Sequence, residues 1–113
     1  MTKVSPISNI FSLPSLSAEE LFETLLSRDG VLIERIVSQG QITPSGKWWD
    51  QPQDEWVILL QGLAELSYES GERIKLRAGD YLLIPGGQKH RLEFTSVDPP
   101  CIWLAIHFDG NRE

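Results

Sequence analysis

The residues of this 113-residue chain that could do chemistry are two histidines and a few acidic and amide side chains. Glu55 opens an apolar run, and His90 follows a proline–glycine turn and opens a second run. An imidazole beside a carboxylate can move a proton to or from a bound molecule. The same two groups are suitable ligands for Zn, Fe, Mn or Ni. Glu55 and His90 are therefore the candidate catalytic residues, and a divalent metal is a candidate cofactor.

The position of Glu55 decides whether it belongs to a site. Alternation along a strand places Glu55 on the same face as Val57 and Leu59. If that face is internal, the carboxylate needs a metal, an arginine or His90, because an unpaired buried charge costs several kcal/mol. The alternatives are that Glu55 points to solvent at the strand end and that His90 makes a structural hydrogen bond.

His107 lies on the last apolar run of the chain, on a face shared with Trp103 and Ala105. The opposite face carries more large aliphatic side chains, which predicts that it is the core face. We therefore expect His107 at a contact between sheets or subunits, or near the mouth of the fold, rather than as a metal ligand.

Four tryptophans are many for a chain of this length. Trp48 and Trp49 precede Glu55 in a loop, where they could cap the end of the fold, fill a dimer contact or form a stacking wall for a planar ligand. Together with Trp103 and His107 they make up the predicted ligand pocket.

The elements that position these residues are mostly strands. Residues 1–16 are read as an extended arm, and Ser17 with Glu20 fits a capping box that opens a helix over 18–28, ended by Gly30. About eight short strands follow, separated by turn signals: 31–37, 41–43, 55–61, 64–68, 73–76, 81–84, 90–94 and 101–108. This pattern predicts one all-β domain over 17–110, a sandwich or barrel with a short N-terminal helix, and a loose tail at 111–113.

Composition limits the function classes. A net charge of −6 argues against nucleic-acid binding, and no apolar run is long enough to span a membrane. The single Cys101 excludes an internal disulfide, and the N-terminus shows no signal peptide. We therefore expect a cytoplasmic protein.

Two segments resemble the cupin superfamily. Gly79, Pro85, Gly87 and His90 fit the motif G-x5-P-x-G-x2-H, and Glu55 with its following glycine fits E-x6-G. The resemblance covers about residues 42–108 and implies a jelly-roll β-barrel. In many relatives it also implies a divalent metal held by three histidines and one glutamate, and the subgroup most similar to this chain comprises small single-domain bacterial cupins.

The chain departs from the cupin pattern where two of those histidines belong. A four-residue spacer before Glu55 places Trp48 and Asp50 there, whereas a three-residue spacer places Trp49 and Gln51. Neither pair supplies an imidazole. The candidate metal ligands implied by the resemblance are accordingly Asp50, Gln51, Glu55 and His90.

Three hypotheses follow for function. The first is a small-molecule-binding cupin with a site at the barrel mouth, acting as a metal-dependent lyase, isomerase or oxygenase. The second is a non-catalytic binding or sensing cupin with a degenerate metal site, acting as a dimer. The third is an interaction protein that forms a homodimer through an apolar sheet face and the N-terminal arm.

Overall fold

The computed structural model describes residues 4–110, which form eight β-strands in two antiparallel sheets. One sheet has five strands in the order β1-β2-β8-β3-β6, and the other has three in the order β5-β4-β7. The strands are β1 (Leu21–Arg28), β2 (Val31–Ser38), β3 (Asp54–Gln61), β4 (Leu63–Tyr68), β5 (Arg73–Arg77), β6 (Tyr81–Ile84), β7 (His90–Thr95) and β8 (Cys101–Phe108). The predicted all-β jelly-roll fold is confirmed.

The predicted helix over 18–28 is wrong, because that segment contains edge strand β1. β1 pairs with β2 through a two-residue connection, in which Gly30 adopts a φ of 75°. A bulge between Thr24 and Leu26 shifts the strand's alternation by one residue. Because of this shift, the leucines of β1 follow the spacing that is expected for one face of a helix. An isolated helix of this length is marginal in water, whereas pairing with β2 satisfies the backbone along the whole segment.

The predicted strand over 41–43 is also absent, although Thr43 still contacts the sheet. The Thr43 amide donates to the Leu92 carbonyl at 3.0 Å, and the Leu92 amide donates to Thr43 Oγ1 at 2.9 Å. These single contacts beside β7 attach the loop without continuing into a ladder.

The described part of the predicted arm, residues 4–16, contains no strand or helix. It is attached by Arg35, whose guanidinium donates to the carbonyls of Ile10 at 3.0 Å and Ser12 at 2.9 Å and pairs with both carboxylate oxygens of Glu23. Phe11 is 53% exposed, whereas Ile10 and Leu13 are half-buried, so the arm is held by these polar contacts together with partial apolar burial. The predicted tail at 111–113 lies outside the described residues.

The core lies between the two sheets. It is formed mainly by the inward positions of β3, β4 and β8: Val57, Leu59, Ala64, Leu66, Trp103 and Ala105. On β8 the face predicted to be the core was the wrong one. Trp103 and His107 point inward and are buried, whereas Leu104, Ile106 and Phe108 on the opposite face are only partly buried.

The segment between β6 and β7 positions the site. Gly87 adopts a φ of 81°, and its amide donates to the Gln51 carbonyl at 2.8 Å. Trp49 and His90 exchange two backbone hydrogen bonds of 2.7 and 3.1 Å. The loop that precedes Glu55 is thereby fixed against the start of β7. Within residues 4–110, no helix is long and apolar enough to cross a membrane.

Candidate functional site

A cavity of about 340 Å³ opens between the two sheets. Most of its lining residues are apolar or aromatic, and its charged and amide side chains are glutamates, histidines and one glutamine. The lining residues are Glu20, Phe22, Glu34, Ile36, Trp49, Gln51, Glu55, Val57, Leu66, Ile84, His90, Leu92, Trp103 and His107. The volume suits a small organic molecule.

Glu55 and His90 meet in this cavity from different sheets, Glu55 from β3 and His90 from β7. They are 8% and 7% exposed, and His90 Nε2 lies 3.8 Å from Glu55 Oε1. That separation is longer than a hydrogen bond. The two groups therefore face each other without forming a direct hydrogen bond.

The neighbours of this pair fix its orientation. Gln51 Nε2 donates to Glu55 Oε1 at 2.9 Å. His90 Nδ1 lies 3.0 Å from the Gln88 carbonyl, and because a carbonyl can only accept, Nδ1 carries the proton. In the neutral imidazole, Nε2 then has the free lone pair and can act as a general base toward the cavity.

A second imidazole–carboxylate pair lines the same cavity. His107 Nε2 on β8 lies 2.8 Å from Glu34 Oε1 on the adjacent strand β2. Sequence reasoning overlooked Glu34, although a lone carboxylate within the apolar run of β2 is the same signal that singled out Glu55.

A third glutamate lies at the cavity's edge. Glu20 Oε2 accepts a hydrogen bond of 2.5 Å from Ser38 Oγ, which in turn accepts one of 3.3 Å from Trp103 Nε1. Burial raises the pKa of the Glu20 carboxyl, and the Ser38 hydrogen bond lowers it by a smaller amount. Glu20 was assigned to a helix cap from the sequence, so its place in the cavity was also missed.

The structure separates the predicted site residues into two groups. Six of them line the cavity, namely Trp49, Gln51, Glu55, His90, Trp103 and His107. Asp50 and Trp48 do not line the cavity. Asp50 is exposed, and the Trp48 ring lies beneath the Arg91 guanidinium, with Arg91 Cζ 5.9 Å from the ring centroid. Adjacent residues of an extended loop point to opposite sides, so the three-residue spacer describes this chain.

The donor set does not fit the metal centre implied by the cupin resemblance. Trp49 and Gln51 take the places of two histidines, and an indole offers no lone pair to a metal. Gln51 directs its amide nitrogen, rather than an oxygen, at Glu55. Across residues 4–110, no group of three or more His, Cys, Asp or Glu side chains is arranged to hold an ion. Only Glu55 and His90 remain from the usual four ligands.

Comparison with known structures shows which proteins share this architecture. A protein from Ralstonia eutropha JMP134, described provisionally as a mannose-6-phosphate isomerase, is 40% identical with a TM-score of 0.88, over 94% of this chain and 100% of that one. A cupin superfamily protein from Desulfitobacterium hafniense DCB-2 is 19% identical with a TM-score of 0.72, over 87% of this chain and 84% of that one. An RmlC-like cupin from Methanocaldococcus jannaschii with a double-stranded β-helix fold is 17% identical with a TM-score of 0.69, over 93% and 94% of the two chains.

Sequence comparison identifies the family. No curated protein matches the chain. The Cupin domain family matches residues 36–107, which span the whole cavity except Glu20, Phe22 and Glu34. Cupins commonly bind small molecules, in many cases with a divalent metal. The chain belongs to the cupin family.

Proposed function

We propose that this cupin binds a small polar molecule in the cavity and transfers a proton on it with the Glu55–His90 pair, as in an isomerisation next to a carbonyl group. The observation that carries the proposal is the meeting of the two side chains across the sheets. Both are at least nine-tenths buried, and the lone pair of His90 Nε2 faces the gap. A buried acid–base pair open to a cavity is typical of proton-transfer sites.

The charges of the cavity lining favour a ligand without a phosphate group. The cavity lining includes three glutamates but no lysine or arginine. A phosphate would have to shed water without a fixed cation to receive it, which is unfavourable. The Ralstonia relative's description names a phosphorylated sugar. For this chain we propose instead an unphosphorylated hydroxycarbonyl compound.

Proton exchange with solvent tests this proposal. D-mannose, D-fructose, dihydroxyacetone and mannose 6-phosphate are incubated with the protein in D₂O, and loss of the C–H signal next to the carbonyl is followed by proton NMR. We expect exchange on at least one unphosphorylated compound, little on mannose 6-phosphate, and a loss of at least 100-fold in Glu55→Gln and His90→Gln.

A matched control removes a carboxylate elsewhere. Glu72 lies in the exposed turn between β4 and β5, and Glu72→Gln should leave the rate of C–H exchange unchanged. Equal exchange by the wild type and the two pair variants, or an inert wild type, would contradict proton transfer by this pair.

A non-catalytic binding or sensing role is the second candidate. It is favoured by the Gln51 amide, which occupies one oxygen of Glu55 and so reduces the carboxylate's availability as a base. Quenching of tryptophan fluorescence by the same compounds without any C–H exchange would support this role.

The predicted metal does not enter the proposal. Of the four positions that hold the metal in many cupins, only Glu55 and His90 carry conventional ligands for Zn, Fe, Mn or Ni in this chain, and two ligands hold such an ion weakly. Within residues 4–110, no group of three or more His, Cys, Asp or Glu side chains is arranged to hold an ion. The cytoplasmic location stays a prediction.

The predicted homodimer is also part of the proposal, and the outer face of the five-stranded sheet supports it. There a continuous apolar row crosses four strands and consists of Ile33, Ile106, Trp56 and Leu83. All four are at least partly exposed, which is unusual for the outer face of a monomeric sandwich.

A further inference from the structure

The second pair, Glu34 with His107, has features that a purely structural ion pair would not need. The chain contains two histidines, and both line this one cavity. His107 is 9% exposed, and the Glu34 side chain is 18% exposed. Apolar residues at these positions would fill the space without desolvating a charge.

The two pairs form one row across the fold. Glu55 on β3 is directly opposite His107 on β8, so their Cβ atoms are about 5 Å apart on the same inward face. Glu34 on β2 is opposite Ala105 and joins the row diagonally, through its 2.8 Å contact with His107 Nε2, and His90 continues the row on the facing sheet. Acid and base therefore alternate along the row, and a ligand of a few carbon atoms can reach both imidazoles.

In their neutral forms the two imidazoles are held in opposite tautomers. The Gln88 carbonyl fixes the proton of His90 on Nδ1. A carboxylate likewise can only accept, so His107 directs Nε2–H at Glu34 and its Nδ1 is the nitrogen left to exchange a proton. The nitrogens that these two hydrogen bonds leave for proton exchange are Nε2 of His90 and Nδ1 of His107.

We propose that His107, positioned by Glu34, is a second proton-transfer group for the same ligand, which is a 2-hydroxyaldehyde or the isomeric 1-hydroxyketone. This rests on the function proposed above. His90 serves the two carbon atoms, and His107 serves their two oxygen atoms.

The step balances without an oxidant or a second substrate. His90 Nε2 takes the proton from the hydroxyl-bearing carbon, and the C–H electron pair becomes the C=C bond of an enediol. The step starts from the doubly protonated form of His107, which keeps Nε2–H toward Glu34 and gives its Nδ1 proton to the carbonyl oxygen. His107 then takes the proton of the other hydroxyl, and His90 returns its proton to the former carbonyl carbon. Both imidazoles end as they began.

The test separates C–H exchange from net isomerisation. D-mannose, D-fructose and dihydroxyacetone are incubated in D₂O with the wild type, His107→Gln, Glu34→Gln and Glu34→Asp, and both deuterium uptake and the appearance of the isomer are measured by NMR. We expect His107→Gln and Glu34→Gln to lower the ratio of isomerisation to exchange at least tenfold. Glu34→Asp should restore part of it, and Glu72→Gln should not change it.

Two outcomes would overturn the inference in distinguishable ways. If the wild type isomerises and the His107 and Glu34 variants keep its ratio, the second pair has no part in proton transfer, while the proposed function stands. If the wild type neither exchanges nor isomerises any of the compounds, both proposals fail.

A spectroscopic readout identifies the role of Glu34. In ¹⁵N-labelled protein with neutral imidazoles, long-range ¹H–¹⁵N spectra should show His90 as the Nδ1–H tautomer and His107 as the Nε2–H tautomer. Glu34→Gln should convert His107 to a mixture and leave His90 unchanged. An unchanged His107 tautomer in a folded Glu34→Gln variant would contradict positioning by Glu34.

Discussion

The two imidazole–carboxylate pairs of the cavity use the same chemical groups in different ways. In one pair, Glu34 and His107 come from adjacent strands of one sheet and are in direct contact at 2.8 Å. In the other pair, Glu55 and His90 come from different sheets and lie 3.8 Å apart, each held by a further amide or carbonyl. The contact pair is closed, and the separated pair leaves a gap that a ligand can enter.

The largest expected effect is on stability, when each histidine is removed in turn. His107→Ala leaves Glu34 without its hydrogen-bond donor, and we expect a loss of about 3 kcal/mol in the free energy of unfolding. His90→Ala removes an equally buried ring, but Glu55 keeps Gln51, so we expect about 1.5 kcal/mol. Urea denaturation measures both. Equal losses would show that the two pairs are not energetically different.

A smaller effect is expected at Glu20, which lies at the edge of the cavity beside Ser38. Burial raises the pKa of this carboxyl in the folded state above its usual value, so its ionisation opposes folding. The stability that the protonated form provides is fully present below about pH 4.5 and is lost as the pH rises through the folded-state pKa. Glu20→Gln keeps an oxygen for Ser38 and removes this loss.

Melting temperatures of wild type and Glu20→Gln, measured from pH 4 to pH 7, check the sign. The variant should gain a few degrees over the wild type as the pH rises. A constant difference across the range would mean that the carboxyl is not destabilised by burial.

The smallest expected effect concerns the gap between Glu55 and His90. If the gap is a ligand site rather than a metal site, millimolar Mn²⁺, Ni²⁺ or Zn²⁺, or Fe²⁺ without oxygen, should raise the melting temperature by less than about 1 °C, since two protein ligands bind such ions weakly. A rise of several degrees that disappears in His90→Ala would instead restore the metal hypothesis.

The separated pair could be predicted from the sequence, and the contact pair could not. Gly79, Pro85 and Gly87 constrain the backbone whatever surrounds them, so their spacing locates His90 and the fold. The lone carboxylate in the apolar run of β2 marks Glu34, but no local feature identifies its partner, which is 73 residues away and is set by strand pairing. The wrong prediction of a helix over 18–28 also has a structural reason. The bulge in β1 allows a strand to carry leucines at the spacing expected for a helix.

The loop bearing Trp49 has a consequence for how fast a ligand can enter. The Trp49 backbone both donates a hydrogen bond to the His90 backbone and accepts one from it. The centroid of the Trp49 indole lies 6.0 Å from that of the Phe22 ring, at the edge of the cavity. Opening this loop would break the start of β7, whereas turning an aromatic side chain would not. Rotation of an exposed side chain takes picoseconds to nanoseconds, whereas lid opening and local unfolding take microseconds or longer. We therefore expect ligand association to be limited by diffusional encounter rather than by a conformational step.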